Sequence, residues 1–267
     1  MLGHNVRIVF GANTDVGKSL ILGGLLRTRT LHKSLPTNYI KPLQCGRPDD
    51  ESFINKYAPK ADTKTLFDFP DHACSPHLAS VATDTSVSDS SLLKSLHKAA
   101  TAPLKSTAVY IETAGGVLSP AASFTSTHPH TMAPLSPSPL HIQHKNSAHF
   151  YTTQGDLYSP LAKQVKTLLV ADSRLGGVSC TLSAIESLRK RNFRVDAVVF
   201  LDSKGPQDPL LDNKGCVSDY LRSCESNEDA RVFSLPHPPP LPETLFEYFD
   251  EPDNVAIFSE LDAHLDS

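Results

Sequence analysis

No two cysteines stand as Cys-x-x-Cys, no apolar run approaches the length of a membrane span, and neither sign of charge dominates. Each absence removes a class of function. Without Cys-x-x-Cys the commonest dithiol and zinc signatures are missing, so Cys45, Cys74, Cys180, Cys216 and Cys224 read as reduced thiols of a protein inside a cell. Without a long apolar run there is no membrane-spanning helix to expect. The net charge of -4 gives no reason to expect nucleic acid as a partner. A signal peptide is not expected either, because a strand starts almost at once at Val6-Arg7-Ile8-Val9-Phe10. The expected compartment is the cytoplasm or a mitochondrion. The hydrophobic share, 39%, is below the usual globular level but can supply a core.

What is present is an alternation of short β-branched apolar runs with helical patterns. Strands are expected near residues 6–10, 37–41, 107–112, 166–171, 195–201 and 231–235, and helices near 18–30, 50–57, 89–100 and 179–191. The strands are continuous apolar runs, as in "TLLVA" at 167–171, which suits a parallel sheet covered on both faces. The expected fold is therefore a doubly wound, mostly parallel α/β domain over residues 1–248. Residues 119–153, rich in Pro, Ser, Thr and His, show no period and are expected to form an unstructured insertion. Their histidines match no standard zinc spacing. Residues 249–267 are expected to be an acidic tail with one short helix.

Three clusters carry chemistry. In "VFGANTDVGKS" at 9–19, a strand, a glycine-containing turn and a helix start make a phosphate cradle, with backbone N–H groups and the helix dipole aimed at the anion. Lys18 is expected to reach the β- and γ-phosphates and the Ser19 hydroxyl to bind Mg²⁺. Five residues separate Gly11 from Gly17, one more than in the simple P-loop pattern. The second cluster, "YIKPLQCG" at 39–46, puts Lys41 at a strand's carboxyl end, where α/β folds place ligands. Lying outside the core, Lys41 is expected to matter for catalysis more than for folding. The third, "VYIETAGG" at 109–116, ends a buried strand in Glu112, the position of a Mg²⁺-directed acid in phosphoryl-transfer folds.

Together these segments resemble dethiobiotin synthetase, an ATP-dependent P-loop NTPase-like enzyme whose loop is also longer by one. "GANTDVGKS", "KPLQCG", "ETAGG" and the turn "DSRLGGVS" at 172–179 carry the resemblance, which is strongest to the synthetase half of the fused synthetase–aminotransferase of plants and fungi. It implies ring closure of 7,8-diaminopelargonate with CO₂ and MgATP, and a homodimer. A downstream aminotransferase half would be absent here. It implies that Asn13, Thr14, Asp15, Val16, Gly17, Lys18 and Ser19 hold the nucleotide, with Leu235 and Pro236 near the base. Lys18 and Lys41 are then catalytic. Ser19, Asp50 and Glu112 hold Mg²⁺, with Asp49 adjacent as an alternative to Asp50. Cys45 and the backbone N–H groups of Gly115 and Gly116 face the substrate. Gly177, Val178 and Ser179 bind its distal carboxylate from the neighbouring subunit. Two other readings compete. One is a nucleotide switch like the partition and septum-site ATPases, whose marker lysine is replaced by Asn13. The other is a non-catalytic half of a fused enzyme.

Overall fold

The computed structural model describes residue 2 and residues 5–85, 87–102, 107–122, 140–144, 147–202, 212–224, 230–240 and 244–267, with backbone alone over 140–144 and 147–151. The elements run β1 (Val6–Gly11), α1 (Lys18–Arg27), β2 (Thr37–Cys45), α2 (Asp50–Tyr57), β3 (Asp62–Phe69), α3 (Pro76–Ala82), α4 (Asp89–Thr101) and β4 (Ala108–Gly116). There follow β5 (Leu140–His144), β6 (Ser147–Tyr151), α5 (Gln154–Tyr158), β7 (Lys166–Val170), α6 (Gly177–Arg189), β8 (Ala197–Leu201), α7 (Asn213–Ser223), β9 (Arg231–Leu235), α8 (Leu245–Asp250) and α9 (Pro252–Asp266). Seven strands form one sheet in the order β3-β2-β4-β1-β7-β8-β9. Every pairing in it is parallel.

Alternation along each strand divides the core in two. Ile8, Phe10, Ile40, Ile111 and Leu169 point to one face, which α3–α7 cover through residues such as Leu96, Ile185 and Leu221. Val9, Tyr39, Tyr110, Leu168 and Val170 point to the other, covered by α1, α2, α8 and α9. β1 is central, flanked by β4 and β7. Its carboxyl end is therefore where the two wings diverge, and the loop to α1 starts there. No helix among the described residues is long and apolar enough to cross a membrane.

The C-terminal segment differs from the expected tail. Residues 252–266 form a fifteen-residue helix that closes one face of the core. Phe258 packs over Gly24, where a Cβ atom would lie 2.2 Å from the ring. Asp262, almost wholly buried, meets Arg29 and Lys33, so the acidic residues that suggested a solvated tail are partly spent on internal pairs. Phe258→Ala is expected to cost about 3–5 kcal/mol, as for other buried aromatic truncations. A denaturant midpoint equal to that of the parent would mean that α9 does not belong to the core.

The margins of the expected insertion also belong to the fold. Ala121 and Ala122 are fully buried, and Pro120 bridges to Thr153, which caps α5. β5 pairs antiparallel with β6. The rest of that expectation, residues 123–139 and 145–146, lies outside the described residues, as do the side chains of the histidines in it.

Candidate active site

The loop between β1 and α1 is built by backbone conformations that its glycines allow. Gly17 has φ 91° and caps α1, and a Cβ there would meet Leu201 at 2.3 Å. Lys18 begins the helix, so its side chain turns back over the loop, near Gly11. The loop is braced from β7. Asn13 donates to Asp172 at 3.3 Å, and the Arg174 guanidinium, paired with Asp172 at 2.7 Å, reaches the Thr14 carbonyl. The Arg174 bond holds the Asp172 carboxyl below the usual carboxylate range.

On the α1 face, two residues apart on their strands, stand Tyr39 and Lys41 of β2 and Tyr110 and Glu112 of β4. Lys41 Nζ lies 2.6 Å from Asp50 Oδ2 and 2.9 Å from Glu112 Oε1. Ser19 Oγ is 2.7 Å from Asp50 Oδ1 and 2.9 Å from Glu112 Oε1. Tyr39 Oη donates to Glu112 Oε2 at 2.9 Å. Lys41 is 4% exposed and Glu112 1%. Burial pulls the Lys41 ammonium down, but Glu112 and Asp50 more than offset it, leaving it above its ordinary range. Burial likewise pushes Asp50 up, and Lys41 brings it below the usual carboxylate range. Lys18 lies lower than an ordinary lysine because burial outweighs the attraction of Glu112.

The structure separates the two adjacent aspartates. Asp49 is the N-cap of α2: its Oδ1 accepts from the Ser52 N–H at 2.7 Å and its Oδ2 from the Ser52 hydroxyl. Asp50, held by Gln44 at its own N–H, faces Ser19 and Lys41. Asp49→Ala is expected to lower stability by about 1 kcal/mol, the usual worth of such a cap, and to leave Mg²⁺-dependent nucleotide binding intact. Asp50→Asn is expected to impair that binding, and it also weakens the ion pair with Lys41. Calorimetric titration of both variants decides between them, and a binding defect in Asp49→Ala alone would reverse the assignment.

Lys18, Ser19, Lys41, Asp50 and Glu112 line a cleft of about 850 Å³ together with Thr14, Asp15, Cys45 and Gly115. Burial pushes the Cys45 thiol up to about 12, so it is no thiolate. Other expected residues fall elsewhere. Val16 turns into the core and Asn13 toward Asp172. The Gly116 N–H is already engaged, donating to Ser119 Oγ at 2.8 Å, so it does not face a substrate as expected. Leu235 is fully buried and Pro236 accepts from Tyr248, and neither lines the cleft. Gly177, Val178 and Ser179 start α6 outside the cleft, beside Leu175, which is 87% exposed. The sequence reading missed Tyr39 and Gln44. Tyr39 was detectable, since a tyrosine two residues before Lys41 shares its face and its hydroxyl needs a buried partner.

No family model matches the sequence. It is 30% identical over 240 residues to the bifunctional dethiobiotin synthetase/adenosylmethionine-8-amino-7-oxononanoate aminotransferase of Emericella nidulans, covering 88% of this chain and 25% of that protein. The chain is a homologue of the dethiobiotin synthetases. The mitochondrial bifunctional dethiobiotin synthetase/7,8-diamino-pelargonic acid aminotransferase of Arabidopsis thaliana is 27% identical, over 95% of this chain and 34% of its own length. The ATP-dependent dethiobiotin synthetase of Francisella tularensis is 26% identical over 70% of this chain and 74% of its own. The chain thus spans a quarter to a third of the fused dethiobiotin synthetases it matches. In fold it is similar to a ParA family ATPase from Chlorobium tepidum, with a TM-score of 0.50, 8% identity, and coverage of 97% of this chain and 98% of that one.

Proposed function

We propose that the chain is a dethiobiotin synthetase of biotin biosynthesis, closing 7,8-diaminopelargonate and CO₂ into a cyclic urea with ATP. What supports this above all is one cleft that gathers two ammonium groups, two carboxylates and a helix-start serine behind a phosphate loop. The charges suit a reaction among several anions without a covalent enzyme intermediate. The donors Ser19, Asp50 and Glu112 are hard oxygens and fit Mg²⁺, which usually takes one or two carboxylates and completes its shell with water and phosphate. When bound, the cation would neutralise phosphate charge.

In this reading one substrate amine takes up CO₂ as a carbamate. The carbamate oxygen accepts the γ-phosphoryl group, and the second amine attacks the carbamoyl carbon and releases phosphate. Lys18 stabilises charge on the phosphates from the start of α1. Lys41 faces the carbamate from the middle of β2. The α6 start, outside the cleft, would hold the distal carboxylate of a substrate bound by a second copy. Sedimentation as a monomer at working concentration would remove that last assignment.

The test is phosphate release with MgATP, bicarbonate and 7,8-diaminopelargonate, with the cyclic product detected by mass. Release that requires the diamine is the expected result. Hydrolysis indifferent to the diamine would favour a nucleotide switch, and no turnover would favour a non-catalytic relative.

A further inference from the structure

We propose that Tyr39 confines Glu112 to one-oxygen metal coordination and so selects Mg²⁺ over larger divalent cations. This rests on the metal–nucleotide reading above. The two oxygens of Glu112 have different partners. Oε1 faces the open side of the cleft, within 2.9 Å of both Ser19 Oγ and Lys41 Nζ. Oε2 is turned inward and accepts from Tyr39 Oη at 2.9 Å. Tyr39 is fully buried on β2, beside Tyr110 on β4, so its hydroxyl has little room to swing away.

The consequence is chemical. A carboxylate can offer a metal one oxygen or both. Mg²⁺ requires a near-octahedral shell at about 2.0–2.1 Å and is satisfied by one oxygen from each carboxylate. Ca²⁺ takes six to eight ligands at roughly 2.3–2.6 Å and gains from a carboxylate that gives both. To chelate with both oxygens, Glu112 would have to rotate and break the Tyr39 bond inside the core, leaving a buried hydroxyl without a partner. That loss costs about 1–3 kcal/mol. Tyr39 is thus a positioning residue, acting through Glu112.

Tyr39→Phe keeps the ring and removes the hydroxyl. ATP binding would be titrated by calorimetry in MgCl₂ and, separately, in CaCl₂. The wild type is expected to bind ATP more tightly with Mg²⁺. In Tyr39→Phe the ratio of the two affinities should shift toward Ca²⁺ by about tenfold or more, the usual size of a loss behind a metal ligand. A wild type that prefers Mg²⁺ alongside a variant of unchanged ratio overturns this inference alone. A wild type indifferent to both cations overturns the metal–nucleotide reading and this inference with it. Should Tyr39→Phe fail to fold, the infrared carboxylate stretches of the wild type decide. A wide splitting on loading with MgATP, lost in Glu112→Gln, marks one-oxygen binding. A narrow one, marking two, overturns the proposal.

Discussion

Lys18→Ala is expected to lower diamine-dependent phosphate release by about a hundredfold or more while melting no lower than the parent. The catalytic loss follows from position. Lys18 starts α1 directly after the loop and is 8% exposed, so no water can replace its charge beside a transferring phosphoryl group. The stability follows from the sign of its shift. Burial holds the folded ammonium below its ordinary value of 10.5. The charged form is therefore disfavoured by folding wherever the unfolded lysine is protonated, and alanine removes that penalty. Attraction to Glu112 offsets part of it, so a small gain or no change is the expected melting result. Undiminished turnover would sink the phosphate-loop assignment.

Lys41→Gln is expected to fail in both respects, losing turnover and about 3–5 kcal/mol of apo stability. Here the structure corrects the sequence reading, which placed Lys41 outside the core. Lys41 is buried between two carboxylates, and glutamine would leave Glu112 and Asp50 without the ammonium that stands between them. Asp50 keeps 28% of its side chain exposed, which favours the lower end of the range. The gap between parent and variant also has a pH signature. The Lys41 contribution is complete below 10.5 and disappears as pH rises through its raised folded value. The Asp50 contribution is complete above 3.8 and disappears as pH falls through its lowered one. The gap should therefore be flat near neutrality and close at both extremes. MgATP should narrow it, by restoring positive charge between the carboxylates. Parent-like melting of the apo variant would mean that Lys41 carries no structural load.

Much of this site could be seen in the linear chain because its parts interrupt or follow apolar runs, although β2 and β4 continue past Lys41 and Glu112 to Cys45 and Gly116. Apart from Arg7, the runs at Val6–Gly11 and Ala108–Gly116 are apolar until the loop or Glu112, so both strand and chemistry stand out. β3 did not, because it is an edge strand with the mixed pattern "DTKTLFDF", open to water along one side. α9 was hidden by its acidic residues. Its apolar positions Phe258, Leu261 and Leu265 do follow a helical period, but the partners of Asp262 lie more than 200 residues away. The triangle of Lys41, Asp50 and Glu112 was hidden for the same reason. Each corner is visible alone, but only the pairing of β2 with β4 and the turn into α2 bring them together.

The central place of β1 also bears on how the chain acquires its ligand site. β1 pairs with nothing close in sequence, and its neighbours β4 and β7 arrive much later. Thr113 bonds the Val9 carbonyl across 104 residues, and Asn13 bonds Asp172 across 159. Contacts of such long range demand loop closure before they reward it, which makes folding slow. α1 can form early, but the cradle in front of it has no walls until both neighbours dock. A half-folded chain should thus be blind to nucleotide. Once the strands are in place, ligand binding draws the last equilibrium toward the native form, so nucleotide should slow unfolding without hastening the collapse that precedes it.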